Sequence, residues 1–391
     1  MKVLILHQHF KTPQSGGAIR SYYLAKALVD HGHQAVVITA HNQKRIKVEN
    51  YEGIEVHYLP IAYDNSYEFG KRGVAFLRFA LRSVRHAKKV KDIDLCYAIS
   101  VPLTVGVAAI WLKKRRHIPF IFEVGDLWPD APIELGFITN YFFKRFLYSL
   151  ERDIYQAARQ VVALSPAIKT AIERKVPGVK VSVIPNMADT EFYQPEQKDP
   201  RLVEQFGVQG KWVVSYIGAM GMANGLDYVI ECANATRKAE MSVHFLVAGE
   251  GALKKRLMEN AKRLQLNNIT FLDFQNREGV REIMNVSDAV FICYKRHRIL
   301  ETGSPNKFFD GLAAGKMIIL NFGGWIRKEV EENQCGIFVD PNYPNDFVKK
   351  VSGFINDQKE LALRQRNARD LAEKKYARKQ LAADFLKTVS R

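Results

Sequence analysis

Two charged residues in the second half of the chain, Lys307 and Asp310, have the types and spacing that can bind a nucleotide. Ser304 and Pro305 precede them and are typical of a helix start, because proline is favoured in the first helical turn. A lysine in that turn can bind phosphate, since the helix N-terminus itself attracts anions. An aspartate one turn further can accept hydrogen bonds from both vicinal hydroxyls of a ribose. We therefore expect this segment, Asn306 included, to bind a nucleoside diphosphate.

Two glycine-containing loops could complete a phosphate site. Gly16 and Gly17 follow one short apolar run, and Gly218 and Gly221 follow another in the second half. Without side chains, such loops let the backbone approach a ligand closely. Neither loop fits the GxGxxG pattern, so dinucleotide binding is disfavoured. A plain tight turn is the alternative for either loop alone, but two such loops facing one cleft would bind a diphosphate.

The elements that must position these residues follow a strand–loop–helix–strand order that occurs twice. Short apolar runs predict buried parallel strands at 3–6, 35–38, 95–99, 120–124, 160–164, 181–184, 212–217, 243–248, 269–272, 289–292 and 317–320. The first helix is expected from Ala18 to Val29. We expect an α/β fold of two doubly wound, Rossmann-like domains, which bind ligands beyond the carboxyl ends of their strands.

Positive charge is concentrated in the first half of the chain. The 391 residues carry a net charge of +17, and residues 1–188 hold 27 Lys and Arg against 15 Asp and Glu. One stretch, from Gly70 to Lys91, has eight basic residues and no acidic residue. A basic helix face is expected there, formed by Arg78, Arg82, Arg85 and Lys89. Such a face is typical of a surface for anionic lipid or nucleic acid, with a plain solvated face as the alternative.

Other features favour a membrane surface. Residues 141–148 are a second basic and aromatic segment, and no nucleic-acid-binding motif accompanies the charge. The longest apolar stretch, 97–112, is interrupted by Pro102 and is shorter than the ~20 residues of a membrane span, so we expect a buried helix. Four scattered cysteines without a CxxC pair fit a reducing compartment, and no signal-peptide pattern is present. We expect a cytoplasmic protein, peripheral on the inner face of the cell membrane.

The segment from Ser304 to Lys316 resembles the nucleotide-sugar motif of glycosyltransferase family 4, the retaining enzymes of GT-B fold. An acid, a small apolar run and Gly315-Lys316 match that motif. The resemblance covers nearly the whole chain. The segments 123–130 and 304–307 resemble the branch of O-antigen and capsule enzymes that includes N-acetylfucosaminyltransferases.

The resemblance implies an organisation and a reaction. Residues 1–188 would be the acceptor-binding domain, residues 189–370 the nucleotide-sugar-binding domain, and residues 371–391 a helix that crosses back to the N-terminal domain. The enzyme would move a sugar, of N-acetylamino type, from a nucleotide diphosphate donor, UDP-linked, to a polyprenyl-diphosphate-linked glycan in bacterial surface polysaccharide synthesis. No cofactor is expected, and without a DxD motif in a suitable loop the transfer is expected to be metal-independent.

The sequence departs from the family pattern at several positions. Ala219 and Asn224 stand where the family has the Arg and Lys that grip the diphosphate, so Lys307 is the expected substitute. Gly125 stands at the family's histidine position, which leaves Asp126 as the expected cleft residue near the reacting sugar, with Glu123 as the alternative. A structural cap is the competing interpretation of both acids. A sugar-nucleotide epimerase of similar two-domain fold is the alternative function, and a scaffolding protein without catalysis is a third.

Overall fold

The computed structural model describes residues 1–17, 19–64 and 67–390, and contains two separate β-sheets. The strands are β1 (Lys2–Leu6), β2 (Gln34–His41), β3 (Lys47–Tyr51), β4 (Ile54–Pro60), β5 (Leu95–Ile99), β6 (Phe120–Val124), β7 (Gln160–Ala163), β8 (Val181–Val183), β9 (Trp212–Ile217), β10 (Val243–Ala248), β11 (Ile269–Leu272), β12 (Ala289–Ile292), β13 (Met317–Leu320) and β14 (Gly336–Phe338). The helices are α1 (Arg20–Asp30), α2 (Phe69–Ala87), α3 (Val105–Arg116), α4 (Asp130–Glu134), α5 (Tyr141–Ala157), α6 (Pro166–Lys175), α7 (Pro200–Gln205), α8 (Asp227–Lys238), α9 (Lys254–Arg263), α10 (Arg277–Val286), α11 (Asn306–Ala313), α12 (Gly324–Glu332), α13 (Pro344–Asn356), α14 (Gln358–Leu371) and α15 (Arg378–Ser390).

The first sheet has the order β3-β4-β2-β1-β5-β6-β7-β8 and is parallel except for the β3–β4 pair. Helices α2, α3, α5 and α6 pack on one face, and α1 and α15 pack on the other. Because both faces are covered, the central strands are continuous apolar runs, and every residue of β5 is buried.

The second sheet has the order β11-β10-β9-β12-β13-β14 and is parallel throughout. Helices α8, α9 and α13 cover one face, whereas α11, α12 and α14 cover the other. The prediction of two Rossmann-like sheets is therefore confirmed.

The chain crosses between the two sheets twice. It leaves the first sheet after β8, and it returns after a π-helical turn, Ala372–Tyr376, that leads into α15. The two crossings pair with each other, since the Ala188 amide donates to the Tyr376 carbonyl at 2.8 Å and the Arg378 amide donates to the Ala188 carbonyl at 3.1 Å. Helix α15 packs Phe385 edge-on against Tyr97 of the first sheet. The predicted return of the C-terminal helix is thus observed, whereas the exact domain limits stay predictions.

The sequence prediction missed three strands, namely β3, β4 and β14, and its prediction for one segment was wrong. The apolar stretch 97–112 is not one helix: it contains the end of β5, a turn, and most of α3. The predicted start of α1, Ala18, and the end of the predicted terminal helix, Arg391, lie outside the described residues. Within the described ranges, no helix has the length and apolar content to cross a membrane.

Candidate functional site

A cavity of about 620 Å³ lies between the two sheets, at the carboxyl ends of β1 and β9. It is lined by both predicted glycine loops and by the start of α11, including Gly16, Gly17, Gly218, Pro305 and Asn306. This is where ligands bind in doubly wound sheets, and the volume suits a nucleotide. A second, more open groove of about 770 Å³ lies beside β11 and α9, and contains none of the predicted site residues.

The two glycine loops face each other across this cavity. Gly16 and Gly17 have φ values of +66° and +83°, which side-chain-bearing residues rarely adopt. A Cβ at Gly16 would lie 3.5 Å from the Phe274 ring of the second domain, so the loop closely approaches the other domain. At Gly218, a Cβ would lie 3.1 Å from Nζ of Lys307. The absent side chain at position 218 therefore makes room for the lysine.

Helix α11 presents Lys307 and Asp310 to the cavity because its other side is apolar. Phe308, Phe309 and Leu312 are fully buried against the second sheet, which leaves positions 307 and 310 together on the opposite face. Both residues line the cavity, as the sequence predicted for a shared site.

The Lys307 ammonium has aromatic neighbours and no anionic one in the described part of the chain. Its Nζ lies 3.9 Å from the centre of the Tyr216 ring and 5.7 Å from that of Tyr294. No carboxylate of the described residues forms an ion pair with it. Desolvation lowers the pKa of Lys307 to about 7. An anion bound beside Nζ would restore the charge, because an opposite charge favours the protonated form.

Asp310 has a raised pKa for the same reason. Desolvation raises the pKa of its carboxyl to about 7; the nearby charge of Arg277 lowers it and that of Asp189 raises it. No described residue forms a hydrogen bond with the Asp310 carboxyl group. Its oxygens therefore remain available to hydroxyl donors of a ligand.

Asp189 joins both domains next to Asp310, and sequence reasoning missed this cluster. Its carboxylate accepts hydrogen bonds from Tyr23 of α1 at 2.7 Å, from Arg378 of α15 at 3.0 Å, and from Arg277 of α10. All four side chains line the cavity. The arginines are 88 and 189 positions away from Asp189, so no local pattern could have indicated the cluster.

Asp126 lies beside the loop that leads into α11, although it is not among the residues that line the cavity. Its Oδ1 would be 4.0 Å from a Cβ placed on Gly303, and its charge contributes to raising the pKa of Tyr294, which lines the cavity. The carboxyl is exposed, yet enough protein surrounds it for desolvation to raise its pKa. The structure therefore brings Asp126 close to the predicted donor-binding segment.

Glu123 is placed differently, and its surroundings argue against a role in contact with substrate. It is 1% exposed, and both oxygens accept from Arg20, Oε1 from Nε at 3.0 Å and Oε2 from Nη2 at 2.9 Å. Tyr97 also donates to it. Arg20, rather than Glu123, reaches the cavity wall. The expected alternative catalytic acid is thus part of a buried ion pair.

Ser304 and Gly221 do not line the cavity, and each is part of the local structure beside it. Ser304 is buried, and its Oγ accepts the amide hydrogen of Asn186 at 3.3 Å. Gly221 precedes a short 3₁₀ turn. Pro305 caps α11 rather than occupying its first turn, so the helix begins one residue later than the sequence indicated.

The basic face predicted for a membrane is on α2, away from the cavity. Arg78, Arg82, Arg85 and Lys89 are all exposed, and Arg82 also donates to the Pro60 carbonyl at 2.6 Å. Lys89 lies two residues beyond the end of α2. Across the described ranges, no group of three or more His, Cys, Asp or Glu side chains is arranged to hold a metal ion.

Known proteins match both halves of the chain. Residues 15–187 match the glycosyl transferase 4-like domain, and residues 199–371 match glycosyl transferases group 1. Alpha-D-kanosaminyltransferase of Streptomyces kanamyceticus is 22% identical over 60% of this chain. WcaI of Escherichia coli, a glycosyl transferase named for a suggested role in colanic acid biosynthesis, is 24% identical over 52% of it. These matches span 60% and 51% of the two relatives' own lengths.

The fold is also that of a solved structure. HepE of Anabaena, solved in complex with UDP-glucose, superimposes with a TM-score of 0.72 and 19% identity, covering 100% of this chain and 99% of HepE. The alternative of a sugar-nucleotide epimerase is not favoured, since the matching domains are those of transferases.

Proposed function

Because the chain belongs to glycosyltransferase family 4 and has the GT-B fold, we propose that it transfers a sugar from a UDP-linked donor to a lipid-linked glycan. We further propose that the transferred group is an N-acetylamino sugar and that the product is part of a bacterial surface polysaccharide. HepE, which resembles the chain in fold, was solved with UDP-glucose, and WcaI is named for colanic acid synthesis. The observation that carries the proposal is the unpaired ammonium of Lys307.

Lys307 would bind the diphosphate of the donor. Its Nζ lies against Gly218 and opens onto a cavity whose far wall carries Gly16 and Gly17. Backbone N–H groups of such loops can donate to phosphate oxygens. Asp310, with both carboxylate oxygens available, would accept the two ribose hydroxyls. One ligand would thus use the cation, the carboxylate and both loops.

Catalysis would come mainly from stabilising the leaving group. The bond between the anomeric carbon and the diphosphate oxygen breaks, and negative charge develops on the UDP that departs. A positive group placed where that charge develops stabilises the transition state more than the ground state. Lys307 has this position in the proposal. Its ammonium would be protonated once the diphosphate is bound, and its attraction to the leaving group would strengthen as negative charge develops there.

Asp126 would orient the acceptor hydroxyl or the donor sugar. It faces the loop preceding α11 from the first domain, as a residue between donor and acceptor must. In a retaining transfer the acceptor oxygen attacks from the side of the leaving group, and its proton passes to the departing phosphate oxygen. No metal ion takes part in this scheme.

The acceptor would be reached at the inner face of the membrane. The exposed cations Arg78, Arg82 and Arg85 of α2 would attract anionic lipid headgroups, each by about 1 kcal/mol near a charged surface. The acceptor's own diphosphate is a further anion that the basic first domain suits. A nucleic-acid partner is not part of the proposal.

The test is calorimetric titration of the protein with UDP and with UDP-N-acetylglucosamine. We expect binding of both, and a loss of about tenfold or more in the Asp310→Asn variant, because an amide accepts only one of the two ribose hydrogen bonds. Lys255→Ala, at an exposed lysine outside the cavity, is the matched control. Unchanged affinity in Asp310→Asn would reject the site. Turnover on lipid-linked acceptors, followed by mass spectrometry, then identifies the sugar.

A further inference from the structure

The start of helix α5 carries large aromatic side chains that face solvent. Tyr141, Phe142, Phe143 and Phe146 are 63%, 78%, 46% and 59% exposed, and we name these four residues the aromatic tip. Soluble proteins rarely expose contiguous apolar groups of this size without a partner. Of the seven exposed Phe and Tyr side chains among the described residues, four belong to the tip.

The aromatic tip projects from the body of the protein. A full turn of about 3.6 residues points to every side of a helix, so a turn that packs against its neighbours has at least one buried residue. In the first turn of α5, however, positions 141, 142 and 143 are exposed and position 144 is not buried, whereas Ile154 further along is buried against the first sheet. The first turn of α5 therefore extends beyond the helix layer.

Other exposed apolar side chains lie at the same edge of the first domain as the aromatic tip. Helices α2, α3 and α5 form one layer, in which Thr104, preceding α3, donates to the Phe76 carbonyl of α2 and Gly106 contacts Ile154 of α5. Helices α2 and α3 follow the parallel strands β4 and β5, and α5 follows β6 and α4 and ends just before β7. All three helices therefore begin towards the carboxyl edge of the sheet, the edge that forms the cleft. Exposed apolar residues in the first halves of α2 and α3 are Val74, Leu77 and Val107, and Leu81 is exposed one turn further along α2.

Basic residues accompany these apolar groups. Arg145 belongs to the first turns of α5, and Arg78, Arg82 and Arg85 lie beside Leu77 and Leu81 on α2. Lys113, Lys114 and Arg115 are exposed at the other end of α3, away from the cleft. An aromatic and aliphatic patch with cations beside it is complementary to an anionic bilayer, where rings occupy the headgroup region and cations contact phosphates.

We propose that the aromatic tip inserts into an anionic bilayer and, with Leu77 and Leu81, holds the cleft edge of the first domain against the lipid. This deepens the proposed function and rests on it in one respect, namely that the acceptor is lipid-linked. The α2 cations supply attraction that salt screens, whereas the buried rings supply anchoring that salt leaves intact. The cleft thereby opens at the surface where a lipid-linked acceptor is anchored.

A second copy of the chain is a less suitable occupant. In a symmetric dimer the same patch would meet itself, so the arginines of α2 and α5 would approach those of the partner copy. Like charges brought together in this way oppose association. A bilayer containing anionic lipid has the opposite charge and removes this repulsion.

The proposal is tested by sedimentation with vesicles of phosphatidylcholine, alone and mixed with phosphatidylglycerol, at low and high salt. Replacing Phe142, Phe143 and Phe146 together by serine should lower binding to mixed vesicles by about tenfold or more at both salt concentrations, since each ring buries apolar area. Arg78→Glu with Arg82→Glu should lower binding mainly at low salt. Tyr343→Ser, at a ring 66% exposed on the second domain, is the matched control.

Insertion itself is measured with Phe142→Trp, whose fluorescence should shift to shorter wavelength and be quenched by brominated lipid. Vesicle binding of the triple serine variant equal to wild type would overturn the proposal, and so would a tryptophan that lipid does not quench. A shift from dimer to monomer in that variant, with unchanged vesicle binding, would assign the patch to a second copy instead. UDP affinity, expected to be unchanged in every variant, separates a failure of this proposal from a failure of the proposed function.

Discussion

Among the cations that line the interdomain cavity, Arg20 and Lys307 come from opposite domains and differ in their surroundings. Arg20 of the first domain is held by the buried carboxylate of Glu123, and it also donates to the carbonyls of Ile184 and Pro185. The ammonium of Lys307, from the second domain, lies beside the rings of Tyr216 and Tyr294, and no described residue forms an ion pair with it. A buried charge that is fully paired fixes structure, whereas one left unpaired costs stability until a ligand of opposite charge arrives. The comparison separates a structural cation from a binding cation.

The largest expected effect concerns the structural cation. Arg20→Met should lower the free energy of unfolding by about 3–5 kcal/mol, because it leaves the Glu123 carboxylate buried without its partner. Urea denaturation measures this, and the double variant Arg20→Met with Glu123→Met should recover much of the loss. If Arg20→Met unfolds at the same urea concentration as wild type, the ion pair is not structural and the comparison fails.

The binding cation should show the reverse pattern. Lys307→Met should lower UDP affinity about 10- to 100-fold, the range expected for a lost hydrogen bond to a charged group. Its unfolding free energy should be unchanged or higher, because a desolvated charge is removed. Calorimetry measures the UDP affinity, and urea denaturation of the same preparation measures the free energy of unfolding. A Lys307→Met variant that is destabilised yet binds UDP normally would reverse the assignment.

Proton uptake distinguishes the two cations without altering the fold. Burial lowers the pKa of Lys307 to about 7, so above that pH the free protein holds it mostly neutral. Bound diphosphate raises the pKa again, and at about pH 8.5 UDP binding should take up as much as one proton. UDP affinity should accordingly fall as pH rises above 7. Calorimetry in buffers of different ionisation enthalpy measures the uptake, which Lys307→Met should abolish.

The smallest effect sharpens what holds Lys307 in place. The Tyr216 hydroxyl donates to the Ala219 carbonyl at 2.7 Å and so fixes the Gly218 loop, while its ring lies beneath the ammonium. Tyr216→Phe keeps the ring and loses that hydrogen bond, so UDP affinity should fall only about 2- to 5-fold. A loss as large as that of Lys307→Met would mean that the loop, rather than the lysine, carries diphosphate binding.

Local sequence was enough to predict site residues that share one helix. It was insufficient to predict contacts between residues that are distant in the chain. Lys307 and Asp310 could be predicted because a helix start fixes their shared face over four residues. The buried ion pair of Glu123 could not be predicted because its partner Arg20 is 103 positions earlier, and a lone acid near a cleft is indistinguishable in sequence from a catalytic one. Membership of Arg277 in the site depended on a similar long-range contact with Asp189.

The missed hairpin has a different cause. Strands β3 and β4 are joined by only two residues, Glu52 and Gly53, both with positive φ, as hairpin turns of this length require. Gly53 was an available signal, and Ile54, Val56 and Tyr58 alternate with polar residues as in a strand with one buried face. Strands were predicted from continuous apolar runs, and such runs are typical only of central parallel strands.

The paired crossings at Ala188 and Tyr376 limit how the two domains can move. A single connecting segment would act as a swivel and allow rotation about its own axis. Two segments hydrogen-bonded side by side resist that torsion and leave bending across their common line as the soft movement. A movement that opened the cleft would therefore be close to one with a single degree of freedom, and closure would bring the Gly16 loop and the Lys307 helix back into the same register.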